Sequence, residues 1–438
     1  MKHFVIIVLA MLTSVASVAA SLSFSGNSLP VWSEKGSAIS GLEEIYVVEK
    51  TDGVSASITL PSPTSTATVA IWGNQGAAYA VPADDSDISR NGSSLTINRI
   101  KGDTGYTITI DDHPVYFWIV DYSAHTYEPH SITPSAEQDC GRAFLDFAGN
   151  AAPITYHAIN ARSLTLSREL ELRYTTLQFD ENAFAYISAE STASFESIGS
   201  TINITAPLCD TYFTLSGDRF LRFWNRETET TSPLYTTTSV ETRAKAVQDG
   251  EKPDNQLNVD TDGLGGSAPF DITFSAVVTD AAIFHEWQFA NDAEFEDITI
   301  RNPELTITRT FQEMGTTYAR FVAANSDGTC SAESEVFKVF VGESFLRCPN
   351  AFSPGSSEGS NDEWRVSYKS IVSFECYIFN RWGVKVAEFH DPALGWDGRY
   401  NGKLAPAGVY YYVIKAVGSD NKKYNLSGDI NIVRYTGE

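Results

Sequence analysis

Val372-Ser373-Phe374-Glu375-Cys376-Tyr377-Ile378-Phe379-Asn380-Arg381-Trp382-Gly383-Val384-Lys385-Val386-Ala387-Glu388-Phe389 is the stretch that decides the fold. Apolar and polar residues alternate from Val372 to Phe379 and again from Val384 to Phe389, the period of a half-buried strand. Asn380-Arg381-Trp382-Gly383 joins the two runs. Asn suits the first turn position and Gly383 can take the positive φ that closes a tight hairpin. Gly395-Trp396-Asp397-Gly398 is a second turn of like chemistry. Val409 to Ala416 and Asp429 to Val433 add two more runs, which predicts an antiparallel sandwich.

The same region carries an ordered set of short motifs. Asn350-Ala351-Phe352-Ser353-Pro354 comes first, then Asn361-Asp362-Glu363-Trp364, then Ile378 to Gly383. Gly395 to Lys403 follows, and Ala405-Pro406-Ala407-Gly408-Val409-Tyr410 ends the series. In that order and spacing, residues 348–438 resemble the gliding-motility-associated C-terminal domain, the type B sorting domain of type IX secretion cargo in Bacteroidetes. Asn380, Arg381, Trp382, Gly383, Gly395, Trp396, Asp397, Gly398, Gly408 and Tyr410 are the positions that match. The resemblance implies handling by the type IX machinery or a paired outer-membrane partner. It implies export to the cell surface, the outer membrane or the extracellular space. The exposed members of the two turns are the expected contacts, with the glycines serving backbone geometry and Trp382 and Trp396 fixing the turns. One loop departs from the family: Gly355 to Ser360 lacks the usual run of Asp and Gly, so no cation site is assigned there.

Upstream the texture is β throughout. Thr, Ser, Val, Ile, Tyr and Phe alternate with polar residues over short runs between turn clusters. The organisation expected is a leader at 1–20, β-rich modules at 21–125 and 126–235, and a linker at 236–266. A third module at 267–342 and the sorting domain at 348–438 follow. The first two modules read as Ig-like sandwiches, and Arg219 to Trp224 reads as a strand with apolar residues on both faces. The linker follows from polar, turn-forming composition around Gly250 to Pro253 and Asp260 to Gly266. The third module resembles a PKD-type or Ig-like sandwich, in which a central Trp, here Trp287, packs between two sheets. The fold class is therefore all-β, a tandem of sandwiches.

The leader has Lys2 and His3, an apolar run from Phe4 to Leu12 and small residues at Val18-Ala19-Ala20 before Ser21. That run is too short to span a bilayer, so the mature chain is expected to lack a transmembrane segment. The chain has 31 Lys+Arg against 55 Asp+Glu, a net charge of −24. Without clustered cations it does not fit a nucleic-acid binder. Five cysteines in an exported chain imply up to two disulfides. Cys140 could pair with Cys209 inside one module, and Cys330 with Cys348 around the last strand of the next. Cys376 alternates with Phe374 and Ile378 and is expected as a buried thiol.

The sequence carries few signals of chemistry. Gly355-Ser356-Ser357-Glu358-Gly359 spells G-x-S-x-G, but it lacks the strand before and helix after that a nucleophile elbow needs. The histidines form no metal-binding pair; His125 and His130 lie near Asp121 and Glu128, a spacing ordinary for loops. Asp84, Asp85 and Asp87, and Asp260 with Asp262, supply only part of a calcium loop. Catalytic residues, metal ligands and cofactors are therefore all assigned as none. The reading favoured is a non-enzymatic exported protein for binding or adhesion, its extracellular ligand a glycan or a protein. The alternatives are a secreted glycosidase or peptidase with β accessory modules, or a structural surface subunit.

Overall fold

The computed structural model describes residues 20–137, 139–355 and 361–433. The expected leader, apart from Ala20, and most of the Gly355 to Gly359 string lie outside the described residues. Strands run the length of the described chain, and the all-β expectation holds.

The first module pairs a four-stranded sheet with a six-stranded one. In the larger sheet, Glu44–Val48 lies parallel to His113–Asp121, with Phe117 opposite Glu44 and Asp121 opposite Val48. Ile45, Tyr46, Val47 and Val48 are all buried. Alternation sends Tyr46 and Val48 into the sandwich core with Ile58, Leu95 and Ile108. Ile45 and Val47 face the other way, as do Trp118 and Val120 on the neighbouring strand. A sheet buried on both faces needs a further layer. The second module supplies it, through Ile154 and Tyr156, Leu166, Phe220 and Trp224.

The second module stacks a three-stranded sheet (Glu128–Pro134, Arg142–Asn150, Thr201–Thr205) on a four-stranded one built around Leu170–Asp180. Leu145, Leu172, Ile202, Phe213 and Leu215 fill its core. Arg219–Phe223 is a short α-helix, not the strand expected. Asp218 caps it, its Oδ1 accepting the Leu221 amide at 2.9 Å, which is the usual chemistry of a helix start. The turn places Phe220 and Trp224 one helical step apart on the face toward the first module.

Thr242–Asp249 pairs along its whole length with Phe270–Val278, and Leu264–Gly266 runs parallel to Phe337–Val341. The span 236–266 is therefore no linker; it contributes a strand to each sheet of the third module. Trp287 is fully buried against Phe274 and Phe321, at ring separations of 5.3 and 5.1 Å, as expected for a central-strand Trp. The fourth module has a five-stranded sheet in the order Ala351–Phe352, Lys423–Ile432, Gly408–Gly418, Ile371–Phe379, Lys385–Phe389. Its core holds Trp364, Phe374, Cys376, Ile378, Trp396, Tyr410, Ile414 and Ile430.

Neither expected disulfide forms. Cys140 bonds to Cys330 and so joins the second module to the third. Cys209 lies instead beside the carbonyl of Thr175, held there by the Leu208 amide on Thr176 Oγ1. Cys348 follows Phe345–Arg347, a strand that pairs with Ser367–Lys369, so it belongs to the fourth module and packs on that core. Cys140 lies in the loop between Glu128–Pro134 and Arg142–Asn150, and Cys330 in the turn after Gly315–Ala324, where the two modules meet. Cys376 is buried, as expected.

Candidate recognition surface of the C-terminal module

The hairpin at 380–383 is built by Asn380. Its Oδ1 accepts the amides of Trp382 and Val384, each at 3.0 Å. The Gly383 amide donates to the Asn380 carbonyl at 2.9 Å, and Gly383 sits at φ +80°, where an L side chain is strained. These bonds use neither side chain at the tip of the turn. Trp382 is 73% exposed, and the Arg381 guanidinium lies 4.2 Å over its ring. Trp382 does not fix the turn, contrary to expectation; Asn380 saturates the backbone groups that a packed side chain would otherwise have to organise.

The second turn is the reverse case. Trp396 is only 3% exposed. It forms a two-way backbone bridge with Trp364 (Trp364 N–H to Trp396 O, 2.8 Å; Trp396 N–H to Trp364 O, 3.0 Å). Its Nε1 donates to the Arg399 carbonyl at 2.9 Å, and its ring meets Tyr410 and Phe352 at 5.0 and 5.4 Å. Gly395 and Gly398 are glycine for lack of room: a Cβ would come within 2.5 Å of Arg365 and 2.7 Å of Pro354. Asp397 accepts the Arg399 amide at 2.9 Å. Tyr410 is buried and donates its hydroxyl to the Pro406 carbonyl at 3.0 Å. Gly408 opens the strand at φ +141°.

The ten motif residues therefore divide. Gly395, Trp396, Gly398 and Tyr410 build the interior around Trp364, while Arg381 and Trp382 are presented to solvent. A further exposed stripe escaped the motif reading. Val409, Tyr411 and Val413 point away from the core, with Phe379 opposite Tyr411 and Tyr377 opposite Val413. The signal for it was present: Val409 to Ile414 is apolar at every position, so one face had to remain outside.

Burial pushes the Cys376 thiol up to about 12, and the nearby Cys348 adds to it; Cys348 is raised by burial as well. Thiols shifted in that direction are poor nucleophiles. The acidic turn at 84–87 is consumed locally, with Asp84 Oδ1 accepting the Ser86 amide and hydroxyl and Asp87 binding Arg99. His125 meets Asp103 at 2.9 Å. No group of three or more His, Cys, Asp or Glu is arranged to hold a metal ion among the described residues. Among them, too, no helix is long and apolar enough to cross a membrane.

Residues 346–432 match the CHU_C type IX secretion signal domain, and residues 132–232 match a fibronectin type III domain. No curated protein matches the chain. Among solved structures it is similar to a tetra-tandem repeat from the extending region of a large adhesion protein (11% identity, 88% of this chain and 97% of that one, TM-score 0.21). It is similar also to fibronectin(III)-like modules of Clostridium thermocellum CbhA (16%, 43% and 95%, TM-score 0.19). A third similar structure is the N-terminal eight Ig domains of the Down syndrome cell adhesion molecule (11%, 89% and 53%, TM-score 0.24). The chain is a multidomain β protein that ends in a type IX secretion signal domain, which implies handling by that machinery and export toward the cell surface or the extracellular space.

Proposed function

We propose that this chain is a non-enzymatic exported protein that binds or adheres outside the cell. Its upstream sandwiches form the binding body and its last module is the address. The observation that carries the reading is the secretion signal domain at 346–432. The body in front of it is built from packed sheets, and its buried charges are spent on structure. Arg168, for example, is locked to Asp218 at 2.5 Å inside the joint of the first two modules. Residues 1–20 act as the leader for the first membrane. The third module, PKD-type or Ig-like, spaces the body from the address. Within the address, the export receptor reads the exposed Arg381–Trp382 tip, a Trp and Arg pair of the kind that dominates binding hot spots.

The test is localisation in a host with type IX secretion, by fractionation and protease shaving of intact cells. The full chain is expected to be shaved or released, and a chain ending before Cys348 to stay periplasmic. A third sample, Arg381→Ala with Trp382→Ala in the full chain, keeps the fold, since neither side chain packs in the core. Loss of export there assigns the receptor contact to the hairpin. Equal localisation of the full and shortened chains defeats the address reading.

A further inference from the structure

The geometry points to a second binding site: the groove between the third and fourth modules takes an extended peptide carrying Lys or Arg, by strand addition. This goes beyond the export reading and does not depend on it.

The groove encloses about 810 Å³, within the range of ligand sites of roughly 300–1,000 Å³. Its floor is an incomplete sheet. Ile371–Phe379 pairs with Gly408–Gly418 along one side, with a bulge at Val372. On its other side only Cys376 to Phe379 are paired, with Phe389 back to Lys385. Past Phe389 the chain leaves the sheet through His390 and Asp391. Among the described residues, no strand pairs with Ser373 to Glu375 on the side facing away from Gly408–Gly418, and the bulged Val372 next to them packs on the third module. Val372, Ser373 and Phe374 line the groove. An open edge of this kind accepts an extended segment through main-chain bonds, and alternate side chains of that segment fall into pockets on either side.

Those pockets have a definite character. Phe270 and Val372, both half-buried, offer apolar surface, while Asp249, Glu251, Asp271 and Asp391 stand around the groove. The one lysine in the lining, Lys252, is bonded to Asn258, and His390 to Glu388. The excess of carboxylates selects cationic side chains and steers their approach. The walls are held in place before any ligand arrives. Asn255 Nδ2 donates to the carbonyls of Val366 and Pro392 at 2.9 and 2.8 Å, and the Leu257 amide donates to Tyr368 O at 2.7 Å. A groove fixed in this way avoids the ordering cost of binding.

The experiment uses the purified mature chain and fluorescence anisotropy. The probe is a labelled hexapeptide alternating Lys and Val, blocked at both ends. Its comparators carry Glu in place of Lys, or N-methyl groups on alternate amides. The Lys peptide is expected to bind with salt-sensitive affinity, and each comparator to bind about ten-fold or more weaker. Asp249→Asn with Asp271→Asn and Asp391→Asn is expected to lower affinity by about ten-fold with an unchanged melting curve. A photo-crosslinking version should label Val372 to Glu375. Equal binding of the N-methylated peptide, crosslinks confined to other modules, or no binding at millimolar peptide would each overturn the assignment. General attraction to an acidic protein gives the first two of those results.

Discussion

The joint between the first and second modules and the joint between the third and fourth are made of different materials. The first is dry. Twelve residues, among them Trp72, Trp118, Phe220 and Trp224, form one buried cluster across it. Its polar centre is closed: Arg168 reaches Asp218, the Ala152 carbonyl and the His125 carbonyl, and Tyr122 donates to Asp218 at 3.0 Å. The second is polar and directional. Met314 N–H donates to Ser419 O at 3.0 Å, Ser419 Oγ to Gly342 O at 2.8 Å, and Ser370 N–H to Ser267 Oγ at 2.7 Å, beside an open groove. Charge divides at the same place. Residues 348–438 hold ten Lys+Arg and ten Asp+Glu, so the −24 of the chain lies upstream, where 21 face 45. The first joint makes two modules into one body. The second positions a neutral address domain on an acidic body without burying it, which leaves its surface available.

The largest break in that contrast should come at Arg168. Arg168→Ala leaves the Asp218 carboxylate buried without its partner and should cost about 3–5 kcal/mol. Denaturant unfolding should show the first and second modules losing stability together, in one transition. Arg168→Met with Asp218→Asn should cost less, because no uncompensated charge remains. If the second module instead unfolds alone in Arg168→Ala, the two are not a single body. The middle of the chain is next. Cys140→Ser with Cys330→Ser removes the only covalent tie seen between modules among the described residues, and a loss of about 2–4 kcal/mol is expected. Reductant should reproduce it in the parent chain and change nothing in the double variant.

Much of this architecture was legible because turn chemistry and period-two alternation are local. Asn380 with Gly383 dictates its hairpin, and Trp287 announces a sandwich core. What stayed hidden was hidden for physical reasons. Thr242–Asp249 buries Thr242 and only half-buries Ala244 and Ala246, while Val247 is exposed, so its alternation has little hydrophobic contrast. Leu264-Gly265-Gly266 reads as a flexible turn, yet Gly265 lies where a Cβ would strike Phe340 O at 2.0 Å; its backbone is used for close pairing. Asp218 before an Arg-Phe-Leu-Arg-Phe run was a cap signal outweighed by apolar residues on both sides. The disulfide depends on how modules meet, which spacing does not encode. In the candidate surface, the motif identified the domain but did not separate Trp396, which is core, from Trp382, which is surface.

The smaller effects belong to the polar joint. Asn255→Ala removes two bonds to carbonyls and should cost about 1–2 kcal/mol, read as faster hydrogen exchange at the amides of Leu257 and Tyr368 with the first joint unaffected. The smallest effect is a pH dependence. Burial pushes the Asp420 carboxyl up, but the Ser344 hydroxyl and the Lys422 and Ser344 amides outweigh it, so the group sits below its ordinary value. Ser344 Oγ donates to it at 2.6 Å. A carboxyl depressed on folding stabilises the folded form above its unfolded value of about 3.9. That contribution is lost as pH falls through the lower, folded value. Exchange at the Ser344 and Met314 amides, corrected for intrinsic rates, should therefore rise only below about pH 4, while the Arg168 joint still protects its own amides. Asp420→Asn should raise exchange at neutral pH and flatten the acid dependence. A parent-like acid profile in Asp420→Asn would move the acid sensitivity of this joint to another group.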